Sequence, residues 1–149
     1  MSSAAAESIA AEARRESALW AAALRDPPEW EPVFSTLAPA PFELGLETVY
    51  EAYLVHYGRP RLFTPDGDSE RILLGDYLYA HGLVRIAEAG GVDAVAAMAE
   101  LISHCASLRA AGGSDGGEAW VRAARALGGS PADADVERAL QAHLARVAP

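Results

Sequence analysis

The chain has 149 residues, a hydrophobic fraction of 51% and a charged fraction of 22%, which fits one globular domain able to bury roughly 68–70% of the surface its unfolded form exposes. No run reaches the ~18–20 apolar residues of a membrane span, the lone Cys105 excludes an internal disulfide or a Cys-rich zinc site, and an acidic, Ala-rich start without basic and apolar regions predicts a cytoplasmic protein. With 21 acidic against 12 basic residues the net charge is −9, which repels nucleic-acid phosphates and anionic lipid.

Every basic residue is Arg, and Lys and Asn are absent. Ala is the best helix former and is everywhere, so apolar spacing and caps carry the assignments. Ser2 to Leu24 reads as a first helix, with Ile9, Ala13, Trp20 and Leu24 near one face. Asp26-Pro27-Pro28 stops it, and Pro32, Pro39 and Pro41 keep the next stretch extended. The loop carries Trp30, Val33, Phe34 and Leu37, which predicts that it lies on the body of the protein.

A second helix runs from about Phe42 to Tyr57, with Leu46, Val49, Tyr50, Tyr53 and Leu54 on its apolar side and Gly58 and Pro60 ending it. A third spans about Ser69 to Ala89. Ile72, Leu73, Leu74, Tyr77, Leu78, Leu83, Val84 and Ile86 make it apolar on nearly every face, which predicts the centre of a bundle. Gly75, Gly82 and Ala89 recur every seven residues, a small-residue stripe for close helix packing. Gly90-Gly91 then breaks the chain before a fourth helix, Val92 to Ala110.

Asp115 with Glu118 has the form of a capping box opening a short helix to Leu127, and Ser130-Pro131 reads as an N-cap and first-turn proline. The last helix carries Val136, Leu140, Leu144 and Val147. No run alternates long enough for a strand, so the expected class is all-α: one domain over 1–149, divided into an N-terminal helix (1–25), a Pro-rich loop (26–41) and a helical bundle (42–149) of about five or six helices in all.

Chemical motifs are few. Gly112-Gly113-Ser114-Asp115-Gly116 matches the letters of a nucleophile elbow but lacks the preceding strand that strains the serine. Ser103, His104 and Cys105 are neighbours on a helix and point about 100° apart. His56, His81, His104 and His143 lie on four separate helices, without the spacing that sets two ligands on one face. No metal site is expected from them.

The informative stretch is Glu47-Thr48-Val49-Tyr50-Glu51, followed by His56-Tyr57-Gly58-Arg59-Pro60 and by Leu73-Leu74-Gly75-Asp76-Tyr77-Leu78. Glu47 and Glu51 are i and i+4 on one face, where carboxylates repel unless a cation lies between them. Taken alone they read as a solvated acidic face. From Phe42 to Ala110, however, the order of motifs resembles the front half of the trans-prenyltransferases, the polyprenyl diphosphate synthase family. There an Asp-Asp-x-x-Asp motif is followed by arginines, a Gly-Lys/Arg-Pro turn and a helix with Leu-Gly-Asp-Tyr/Phe-Leu.

The resemblance implies a polyprenyl-synthase-like bundle, and its departures imply what the protein does not do. Glu47, Thr48 and Glu51 stand where the family has its aspartates, and a Thr with two flexible Glu side chains suits the octahedral demand of Mg²⁺ poorly. His56 and Tyr57 stand at the paired arginines, leaving Arg59. No second Asp-rich motif follows; Asp115 and Asp133-Ala134-Asp135 are in other contexts. The implied function is a non-catalytic subunit acting through protein contacts, in a homo-oligomer or with a catalytic prenyl synthase, without a cofactor. Trp30 and Phe34 are its candidate contact residues. The alternatives are an accessory subunit of an unrelated assembly and a minimal Mg²⁺-dependent diphosphate-binding enzyme using Glu47, Glu51 and Arg59.

Overall fold

The computed structural model describes residues 3–113 and 115–148, so Ser2 and the elbow serine Ser114 lie outside the described residues. Among the described residues the fold is an all-α bundle of six helices: α1 (Ala4–Glu16), α2 (Ala18–Ala22), α3 (Glu43–Tyr57), α4 (Gly67–Ala110), α5 (Gly117–Ala126) and α6 (Asp133–Val147). Two 3-10 turns, Ser35–Leu37 and Ala40–Phe42, lead into α3. Among the described residues there is no strand, only an isolated antiparallel bridge between Leu24 and Phe63.

The expected first helix is two. Ser17 has extended φ/ψ, and its side chain accepts from Leu19 N to start α2. Ile9, Ala13 and Trp20 are buried as their spacing predicts. α4 merges the expected third and fourth helices across Gly91, whose φ of 73° and ψ of −158° are non-helical. A side chain is strained there, so the glycine makes the kink possible.

The central helix is α3, which corrects the expectation that Ser69–Ala89 holds the middle. Every residue from Gly45 to Val55 is buried, including Glu47, Thr48 and Glu51. One core cluster joins Leu46, Val49, Tyr50, Tyr53 and Leu54 to the loop, the second half of α4, α5 and α6; another joins Ala52 and Val55 to α1, α2, Leu62, Phe63, Leu74 and Leu78. Because α3 lies between both clusters, it has no solvated side. The first half of α4 buries Leu74, Gly75, Leu78, Gly82 and Ile86 and leaves Ile72, Leu73 and Val84 each more than half exposed.

Two of the three stripe residues make close contacts. A Cβ on Gly75 would sit 2.6 Å from His56 Cε1, and one on Gly82 would sit 2.5 Å from Val49 Cγ2. Ala89 is exposed. The third close approach is at Gly90, where a Cβ would meet Phe42 Cζ at 2.6 Å, so the stripe shifts by one residue as α4 nears its kink.

The cap assignments also move. α5 begins after Gly116, in the left-handed region at φ 84°, and Asp115 Oδ1 accepts from Gly117 N at 2.8 Å. The cap is an aspartate turn rather than a reciprocal capping box. α6 starts at Asp133 with Ala132 as its N-cap, past the expected Ser130-Pro131. Of its apolar stripe, Val136, Leu140 and Val147 pack on the core, whereas Leu144 is 44% exposed and His143 is fully buried instead.

Candidate functional site

Glu47 and Glu51 sit one turn apart on α3, and both face Arg61, which lies in the bend that follows Gly58-Arg59-Pro60. All three side chains are between 0 and 1% exposed. Arg61 Nη1 donates to Glu47 Oε1 at 2.5 Å and its Nε to Glu51 Oε1 at 2.9 Å, so one guanidinium fork bridges the two carboxylates. It also donates to the carbonyls of Glu31 and Glu47. Trp30 and Tyr50 lend their rings, 4.1 and 5.0 Å from Cζ.

The remaining carboxylate oxygens are occupied too. Glu51 Oε2 accepts the backbone N–H of Arg61 at 2.9 Å and of Leu62 at 2.8 Å. Glu47 Oε2 accepts Ser35 Oγ at 2.5 Å and Val33 N at 3.3 Å. Burial by itself pulls the Arg61 pKa down, but the two glutamates outweigh it and hold the guanidinium above its ordinary value. A buried charge without such partners would cost several kcal/mol. The solvated acidic face read from the sequence is therefore an interior ion triad, and it ties the loop at Val33–Ser35 and the segment at Arg61–Leu62 to α3.

Thr48 and Arg59 do not join it. Thr48 is fully buried; its Oγ1 donates to Leu44 O at 2.7 Å and accepts from Arg85 Nη1 at 2.8 Å. Arg59 turns toward α6, with Nη1 on Ala145 O at 2.9 Å and N on Arg146 O at 2.9 Å. Arg146 completes that junction by donating to the Glu29 carboxylate and carbonyl at 3.0 and 2.8 Å. His56 packs on the bare backbone of Gly75, with Nε2 3.5 Å from Asp76 and its ring stacked on Tyr79. Desolvation pushes its pKa down more than Asp76 raises it.

The contact candidates separate as well. Phe34 is 1% exposed and stacks on Trp120 at 5.5 Å, which removes it as an interface residue. Trp30 is half-buried under Arg61. The loop lies on the body as its apolar residues predict, which takes Phe34 out of reach of a partner and leaves Trp30 partly exposed.

A second polar cluster was invisible in the sequence. His143 is fully buried, with Nδ1 2.7 Å from Tyr50 Oη and Nε2 3.0 Å from the Asp115 carbonyl. A carbonyl only accepts, so Nε2 carries the proton and Nδ1 accepts from Tyr50. Tyr53 Oη donates to the same carbonyl at 2.5 Å and accepts from Arg109 Nη2 at 3.0 Å. Burial holds His143 below its ordinary pKa. Every hydrogen bond of the cluster suits a neutral imidazole, which pins the start of α5 to α3 and α6.

Outside these clusters, a surface groove of about 660 Å³ runs between the second half of α4 and α5, with Leu101, Ala119 and Ala123 on its floor and Glu100, His104 and Arg122 at its rim. Among the described residues no group of three or more His, Cys, Asp or Glu is placed to hold a metal ion, and no helix is long and apolar enough to cross a membrane.

No protein-family model, no curated protein and no solved structure matches the chain. These comparisons link the chain to no family, the polyprenyl synthases included. The structure brings Glu47 and Glu51 together, with Arg61 between them and Arg59 elsewhere.

Proposed function

We propose that this protein is a non-catalytic, polyprenyl-synthase-like helical subunit that works through protein contacts, as the small regulatory partner of a catalytic prenyl diphosphate synthase. The observation that carries the reading is the occupancy of Glu47 and Glu51. Transfer of a prenyl group needs Mg²⁺ and basic side chains free to stabilise the charge developing on diphosphate. Here all four carboxylate oxygens are bonded from within the chain, in a site with 1% exposure or less. Arg59 is spent on α6.

The outer side of α4 supports the contact half of the reading. Ile72, Leu73 and Val84 are 54 to 57% exposed on one helix, and contiguous apolar surface on a water-soluble bundle marks contact sites. The test is incubation with allylic and homoallylic diphosphates and Mg²⁺, first alone and then with the catalytic synthase of the same cell. The isolated chain should give no condensation product, and its addition to the synthase should shift the product chain length. Turnover by the isolated chain that is lost in Glu47→Ala or Glu51→Ala would refute the reading.

A further inference from the structure

The first half of α4 shows two faces of opposite character. Leu74, Gly75, Leu78, Gly82 and Ile86 are buried against the bundle, whereas Ile72, Leu73, Asp76, Ala80, Val84 and Ala87 recur at helical spacing on the outside and are all exposed. From Ile72 to Ala87 that face runs ~22 Å along the helix. Its charge has one sign. The exposed charged residues between Gly67 and Gly90 are Asp68, Asp76 and Glu88. Both arginines of this stretch are drawn inward, Arg85 Nη1 to Thr48 Oγ1 at 2.8 Å and Arg71 Nη1 to Val55 O at 3.5 Å.

From this pattern we infer that the outer face of α4 receives an amphipathic helix of a partner protein whose apolar ridge is flanked by Lys or Arg. The inference rests on the protein-contact reading above and adds the surface and the partner's chemistry. Two other occupants fit worse. A second copy would bring the same acidic face against itself, with each chain at −9 net charge, and like charges opposed across an interface are unfavourable. An anionic membrane surface selects amphipathic helices with a basic polar face, and this one is acidic.

The test uses fluorescence anisotropy with three synthetic peptides: a helix with a Leu ridge flanked by Lys, the same ridge flanked by Glu, and the Lys composition with its ridge scrambled. Only the Leu/Lys helix should bind, more weakly at high salt. The double variant Leu73→Arg/Val84→Arg, checked for folding by circular dichroism, should weaken it at least ten-fold. Glu118→Gln/Glu137→Gln makes the same net charge change on exposed sites of α5 and α6 and should retain it. Equal binding by both variants, or binding of the scrambled peptide, would overturn the inference, as would a wild-type dimer that the α4 variant disperses. If a catalytic synthase co-purifies equally with wild type and α4 variant, this face is wrong while the protein-contact reading survives. If neither peptide nor synthase binds, both fail.

Discussion

Removing the positive charge from the interior triad is the most demanding test of the architecture. Arg61→Met keeps much of the side-chain volume and the apolar stem beneath Trp30, yet leaves Glu47 and Glu51 buried with no counter-charge. Breaking a buried pair by deleting one partner typically costs ~3–5 kcal/mol, and here two carboxylates lose it together. Four further hydrogen bonds survive on Glu51 and Glu47, from Arg61 N, Leu62 N, Ser35 Oγ and Val33 N, which holds the expected loss near that range rather than at its double. A domain of this size is stable by only ~5–15 kcal/mol, so the variant should be partly unfolded at room temperature or melt far below wild type. Arg61→Lys should recover less than half of the loss, because an ammonium cannot present the planar fork that reaches both carboxylates. The control is Arg59→Met. That side chain is exposed and holds one carbonyl, and its loss should cost ~1 kcal/mol or less. Urea unfolding followed by circular dichroism measures all three. An Arg61→Met loss below ~1 kcal/mol, or one equal to that of Arg59→Met, would refute the assignment of Arg61 as the required cation.

Three other outcomes are expected. Gly82→Leu should cost ~1–3 kcal/mol by overpacking against Val49, while Ala89→Leu on the exposed side should stay within ~0.5 kcal/mol; equal melting shifts would refute the close approach. His143 and His56 are both held below their ordinary values chiefly by burial, so the unfolded chain takes up protons first as pH falls. Their contribution is complete above about pH 6.5 and is lost below it, at no more than ~1.4 kcal/mol per pH unit for each group. His143→Gln should flatten that slope in chemical denaturation, and an unchanged slope would contradict the neutral imidazole. Burial pushes the Cys105 thiol up to about 11, so a thiol reagent at mildly alkaline pH should label it only after unfolding; labelling of the native protein at the rate of a free thiol would contradict its burial.

The helices were legible in the sequence because their ends are chemically marked: Gly58 and Pro60 close α3, and Gly91 breaks α4. What the sequence hid was the role of polar residues inside. α3 reads as amphipathic because Glu47, Thr48 and Glu51 share a side, yet that side is buried by Arg61, Arg85 and the loop. The apolar content of the first half of α4 suggests a central position, but centrality depends on how many elements surround a helix, and that half packs one face on α3, α1 and α2 while Ile72, Leu73 and Val84 stay uncovered. The i, i+4 glutamates do signal that a cation belongs between them. Arg59 and Arg61 are both close enough in the chain to supply it, and the turn at Pro60 decides between them. His143 carries no signal, since its partners Tyr50 and the Asp115 carbonyl lie 93 and 28 residues away.

The claim that Glu47 and Glu51 are structural anchors rather than metal ligands is tested most directly by thermal unfolding with increasing Mg²⁺ and inorganic diphosphate. A ligand that binds the folded state raises the melting temperature by mass action, ~2.7 kcal/mol of stabilisation at a hundred-fold excess over Kd. With both carboxylates bonded to Arg61, millimolar Mg²⁺ and diphosphate should leave the melting temperature unchanged. A saturable rise that disappears in Glu47→Gln or Glu51→Gln would contradict the account.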